Sequence, residues 1–121
     1  MPTATGRETT FEREQRQKAE DYAAKRTLFT DEIRDTARGD VLAYIAGTYD
    51  RKAIESMYPA GERHTVKAGR RTITLDEGSV RQLALADAFK EEGFAVIAHT
   101  LRFDLFGGRH TMVYGVVLGQ A

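Results

Sequence analysis

The stretch FAVIAHTLRFDLFGGRHTMVYGVVLGQA, residues 94–121, decides the fold. It holds two strand-like runs that meet at Gly107-Gly108. A two-residue turn at that dipeptide sets Phe106 opposite Arg109. One strand then offers Ile97, His99, Leu101, Phe103 and Leu105, and its partners are Leu118, Val116, Tyr114, Met112 and His110. Both strands place their apolar residues on the same face, and a slip of one residue would destroy the match. The expectation is a closing β-hairpin with an apolar face. Its other face carries Thr100, Arg102 and Asp104 across from Thr111, Val113, Gly115 and Val117, an open surface able to receive a partner.

The preceding segment supplies a helix and a second hairpin. Ser79 with Gln82 reads as a capping box, and Val80, Leu83, Ala84, Ala88 and Phe89 follow as a buried stripe, with Gly93 as the stop. His64-Thr65-Val66 and Thr72-Ile73-Thr74-Leu75 flank Lys67-Ala68-Gly69-Arg70. β-Branched residues around a glycine-containing turn predict a hairpin.

Further toward the N-terminus the period becomes helical. Thr9 and Glu12 form a capping-box pattern, and Ala19, Tyr22, Ala23, Phe29, Ile33 and Ala37 mark one apolar stripe. Thr30-Asp31-Glu32 reads as a second N-cap, so the stretch predicts two helices with a break near residue 30 and a stop at Gly39. Asp40 then caps a short helix over Val41–Ile45, with a strand as the alternative for the same run, and Asp50 caps another over Arg51–Met57, ended by Pro59.

The whole is a small soluble α+β domain: N-terminal helices, then hairpin-helix-hairpin, with a four-stranded antiparallel sheet and helices packed on one face. Residues 1–8 are expected to fray. Residues 9–121 make a single domain, with a helical part over about 9–58 and a hairpin-helix-hairpin part over about 62–119.

Composition narrows function by exclusion. Eighteen basic and eighteen acidic residues cancel, so no global field steers the chain to nucleic acid or an anionic membrane. There is no cysteine, which removes disulfides, thiolate metal sites and thiol catalysis. Met1–Gly6 lacks the apolar core of a signal peptide, and no apolar run approaches the roughly 18 residues of a membrane span. A cytoplasmic location without membrane contact is expected. Nucleotide-binding loops, the nucleophile elbow and HExxH are all missing from the sequence. Arg38-Gly39-Asp40 spells the integrin tripeptide without any supporting context.

Four features stand out as candidate sites. Arg63, His64, Lys67, Arg70 and Arg71 cluster without an intervening carboxylate and suit a phosphate backbone or an acidic protein; the plainer reading is a solvated hairpin whose charges discourage edge pairing. Thr100, Arg102 and Asp104 mark the open sheet face, which is also what an ordinary half-solvated sheet presents. His64, His99 and His110 each precede a threonine. His99 on the apolar face is either a base oriented by Tyr114 or a core histidine with one hydrogen bond, and three-histidine metal binding requires a convergence that the spacing does not provide. The N-terminal helices carry eight basic and eight acidic residues over residues 7–38, a mixed face that can overhang the sheet and meet a partner or a second copy.

In element order alone the chain resembles the small ribonuclease toxins of the barnase and RelE kind, although those are basic. Separately from that likeness, a metal-independent ribonuclease needs a base, an acid and cations around one phosphate, and His64 or His110 with Arg71, Arg102 and Asp104 would supply them if the two hairpins are adjacent. The reading placed first is a non-enzymatic binding or inhibitor protein, an accessory protein of a virus or mobile element, with a protein partner and no cofactor or metal. Nucleic-acid binding through Arg63–Arg71 comes second. A small-molecule pocket between the helices and the His99 face comes third.

Overall fold

The computed structural model describes residues 7–50, 56–99 and 110–119. Its elements are α1 (Thr10–Arg26), α2 (Asp31–Ala46), β1 (Arg63–Ala68), β2 (Arg71–Asp76), α3 (Glu77–Glu91), β3 (Val96–His99), β4 (Thr111–Val113) and β5 (Val116–Leu118). The class is α+β, as the element order predicts. The described strands do not form one sheet of four. They form an antiparallel pair, β1-β2, and a separate three-stranded antiparallel sheet of order β3-β5-β4.

The helix α3 lies between these sheets in the chain and at the centre of the packing. Nine of its fifteen residues are buried, including Leu83, Leu85, Ala86 and Phe89 at 1% exposure or less. The expected stripe is all buried, and Gln82, Leu85 and Ala86 extend it around the cylinder. A helix buried on most of its circumference has neighbours on several sides. Here α2 packs along it, with Ile33, Ala37 and Val41 joining the core, and Val113, Val116 and Leu118 of the small sheet complete it. Tyr44 and Phe94 meet Phe89 edge-on, with ring centroids 5.5 and 5.2 Å away.

The cap of α3 differs from the Ser79–Gln82 box. Asp76 is the N-cap, and its carboxylate accepts the Ser79 N–H at 2.7 Å. Gln82 is thereby released to the interior, where its amide donates to the Tyr114 carbonyl at 3.3 Å. The expected stop, Gly93, has φ 90°.

Helix α2 does not end at Gly39. It continues through the Arg38-Gly39-Asp40 tripeptide and the Val41–Ile45 run to Ala46, and stops at Gly47 with φ 72°. The reason is burial: Ile33, Ala37 and Val41 keep a four-residue spacing onto α3, and that packing outweighs the roughly 1 kcal/mol cost of one glycine. The break near residue 30 is present, with Thr30 accepting the Ile33 N–H at 3.1 Å. The capping box of α1 is complete, with Thr9 and Glu12 bonded reciprocally at 3.1 Å. The apolar stripe expected for α1 is not buried, because Ala19 and Ala23 are exposed and Ala24 alone is inaccessible. Of the helix expected over Arg51–Met57, residues 51–55 lie outside the described residues, and Ser56 and Met57 are not helical.

The closing hairpin is revised most. Gly107-Gly108 lies outside the described residues. The expected strand over 109–118 is broken at Tyr114-Gly115, where φ is 49° and 82°. Two successive positive φ values make the type I′ turn that matches strand twist. Accordingly β4 folds back on β5, pairing Met112 with Val117 and Val113 with Val116. Met112 therefore has Val117 as a partner, and Tyr114 is a turn residue and not a strand residue facing Leu101. His99 does pair with Val116, as expected. A bulge between Val96 and Ala98 sets Val96 opposite Leu118 and leaves Ile97 51% exposed. Of the expected open face, Val113, Gly115 and Val117 are buried and Thr111 is exposed. Among the described residues no helix is long and apolar enough to cross a membrane.

Candidate functional site

Strand alternation divides the basic hairpin. In β1-β2 the inward face pairs His64 with Leu75, Val66 with Ile73 and Ala68 with Arg71, and the outward face pairs Thr65 with Thr74 and Lys67 with Thr72. Successive side chains of a strand point to opposite faces, so a cluster that is continuous in sequence cannot be one patch in space. Arg63 and Lys67 are exposed with the outward threonines, and Arg70 is exposed in the turn. Arg71 turns inward and holds α1. One terminal nitrogen donates to Asp21 at 2.7 Å and to the Gln17 carbonyl at 3.2 Å, and lies 3.5 Å from Glu20. His64 is half-buried in a groove of about 480 Å³ that also contains Glu32, Glu62 and Glu77. Arg81 bonds Glu32 at 2.5 and 3.0 Å and Glu77 at 3.2 Å, so two of these three carboxylates already hold a cation.

His99 lies elsewhere. It is half-buried against the Tyr22 ring of α1, with centroids 5.4 Å apart, and not against Tyr114. Tyr114 instead stacks on Tyr58 at 4.1 Å. Tyr58 in turn donates its hydroxyl to Asp40 of α2, and burial together with that carboxylate pushes its phenol far above the ordinary value. This arrangement ties the segment 56–62 over the start of α3. Glu77 and Gly78 donate their N–H groups to the Glu62 and Ala60 carbonyls at 2.9 and 3.0 Å. A cleft of about 360 Å³ opens under that strap, lined by Lys25, Tyr58, Asp76, Ser79, Gln82 and His99 among others. Burial, reinforced by the Lys25 and Lys90 charges, lowers the His99 pKa to about 4, so the imidazole is neutral at physiological pH.

The ribonuclease reading takes His64 or His110 with Arg71, Arg102 and Asp104, and of these Arg71 is engaged with α1. His64 lines the groove beside α2, His99 lines the cleft beside α1, and His110, half-buried ahead of β4, lines neither. Thr100, Arg102 and Asp104 lie outside the described residues. No group of three histidine, aspartate or glutamate side chains arranged to hold a metal occurs among the described residues.

Sequence periodicity also misjudges α1. Every residue from Thr10 to Arg16 is exposed, and Phe11 is 68% exposed. The helix is attached at its C-terminal half by charge: by Arg71 as above, and by Arg26, whose guanidinium donates to both Asp87 oxygens at 2.9 and 3.0 Å. Its N-terminal half is self-contained. Arg16 donates to Glu8 at 2.7 and 3.0 Å and to Glu20 at 3.2 Å. The signal for this arrangement is the mixed charge of residues 7–38, which outweighs the few alanines of the stripe. Compared with known proteins, the chain matches no protein-family model, no curated protein and no solved structure.

Proposed function

We propose that this chain is a non-enzymatic protein-binding domain whose projecting α1 is the partner-facing element. One observation carries the reading: a helix of 17 residues keeps a single buried residue and bears, at its free end, a phenylalanine that is 68% exposed. Isolated helices of about 12–15 residues are marginal in water, and most helices in proteins are stabilised by burying a face. Here a full capping box and the Glu8–Arg16–Glu20 ion pairs hold the overhang in place of packing. A charged rod with one aromatic near its tip suits contact with another protein or with a second copy of the chain.

The test is a photo-crosslinker placed at position 11 in the otherwise native chain, with one at position 62 as control. A discrete adduct is expected from position 11 and none from position 62. Phe11→Glu should abolish binding of the protein so identified while leaving the unfolding transition unchanged. A purified chain that stays monomeric, together with a partner whose binding is indifferent to Phe11→Glu, would overturn the proposal.

A second reading rests on Arg63, Lys67 and Arg70, which share the solvent side of the hairpin with Thr65, Thr72 and Thr74. Cations and hydroxyls on one ribbon suit a phosphate backbone. A gel shift with RNA and DNA at two salt concentrations separates the two readings, since phosphate contacts weaken steeply with salt.

A further inference from the structure

Lys25 is a half-buried cation near two carboxylates, Asp21 and Asp76, neither of which forms a direct ion pair with it among the described residues. It lines the cleft under the 56–62 strap. Asp21 accepts from Arg71 at 2.7 Å, and Asp76 accepts the Ser79 N–H at 2.7 Å. No carboxylate lies within 4.0 Å of the Lys25 ammonium among the described residues. The ammonium does stand 5.9 Å from the centre of the Tyr22 ring, a contact that supplies no counter-charge. Removing an ammonium from water is unfavourable, and burial lowers the Lys25 pKa although the charges of Asp21 and Asp76 act in the opposite direction. On the same cleft wall His99 is neutral. The charges acting on His99 are Lys25 and Lys18 of α1 and Lys90 and Asp87 of α3, and Asp87 is neutralised by Arg26. Among the described residues, Asp76 of β2 is the carboxylate that lines the cleft. Lys18 and Lys25 lie seven residues apart on α1 with Tyr22 between them, so all three share the helix face that meets His99.

We infer that this cleft is a binding site for a small oxyanion, a carboxylate or phosphate group, held by Lys25 and by the hydroxyl of Ser79, with His99 as a third donor. Among the described residues lining the cleft, Lys25, Ser79 and His99 present donors and a positive charge against the one carboxylate of Asp76, with which Lys25 forms no direct ion pair, and a cavity of about 360 Å³ admits a small organic anion. The first amides of α3 are already bonded to Glu62, Ala60 and Asp76, so side chains would carry the recognition. Asp76 opposes a highly charged ligand and favours a monoanion. Binding brings negative charge to His99, so the imidazole takes up a proton more readily when the site is filled.

The experiment follows the His99 ring protons by NMR through a pH titration in chloride, in acetate and in inorganic phosphate at matched ionic strength. The expected result is a His99 midpoint that rises by about 1 pH unit in acetate, in phosphate or in both, while His64 is unmoved. The responding arm identifies the oxyanion. Lys25→Met should weaken the response by about tenfold or more. In the unaltered protein the effective anion should also slow acetylation of Lys25 relative to the exposed Lys67, a readout that does not depend on the variant folding. The inference is overturned if neither anion moves His99 beyond chloride and Lys25 acetylation is unaffected, or if a folded Lys25→Met variant responds as the parent does.

Discussion

At the scale of single residues, position in the fold decides behaviour that residue type leaves open. The three histidines share the pattern His-Thr, yet His64 lies in a groove beside Glu32, Glu62 and Glu77 and His99 lies between Tyr22 and a set of lysines. Because the His99 pKa falls from 6.5 to about 4, the unfolded chain binds its proton first. Its contribution to stability is present above pH 6.5 and is lost as the pH falls from 6.5 toward 4. Denaturant midpoints across that window should therefore decline, and His99→Gln should flatten the decline. The glycines divide in the same way. A Cβ on Gly39 meets nothing within 4 Å in the exposed middle of α2, so Gly39→Ala should raise stability by about 0.5–1 kcal/mol. A Cβ on Gly78 would lie 2.6 Å from the Pro59 carbonyl oxygen, so Gly78→Ala should displace the 56–62 strap and lower the melting temperature. Calorimetry of the two variants provides the comparison.

At the scale of elements, local signals are legible where caps and turns speak for themselves and misleading where burial decides. The box at Thr9, the cap at Thr30, the hairpin around Gly69 and the stop at Gly93 all stand in the structure. The end of α2 is hidden because Gly39 resembles a stop and tertiary packing carries the helix past it. The break at Tyr114-Gly115 is hidden because a tyrosine at positive φ is uncommon and Gly107-Gly108 offers a more obvious turn. The stack on Tyr58 helps to hold Tyr114 in that conformation. Gly115→Ala, at φ 82°, should cost about 1–2 kcal/mol, measured by urea unfolding. Helix α1 depends on charge for its attachment. Arg71→Met removes the link to Asp21 and Gln17, and should raise protease cleavage within α1 while leaving the α2–α3 core intact. High salt should act in the same direction on the unaltered chain.

At the scale of the whole molecule, the class α+β and the succession of elements can be read from the sequence, and the arrangement of strands cannot. Periodicity states which face of a strand is apolar, and both sheets have such a face; it does not state that β4 returns onto β5, nor that the two hairpins remain separate sheets. The candidate sites follow the same division. The basic cluster is visible as a run, but its division into an outward trio and an inward Arg71 needs the register. Lys25 is inconspicuous in the sequence, because an ammonium becomes distinctive only once its burial and its place in a cleft are known. The central position of α3 has a further consequence. The two sheets have separate strand ladders, and both pack on this one helix. Opening either ladder leaves the other paired, whereas opening α3 exposes the core of both. Amide hydrogen exchange should thus resolve a hierarchy of cooperative units, with β1-β2 exchanging by its own partial opening and the amides of Leu83–Phe89 exchanging only when the entire chain unfolds.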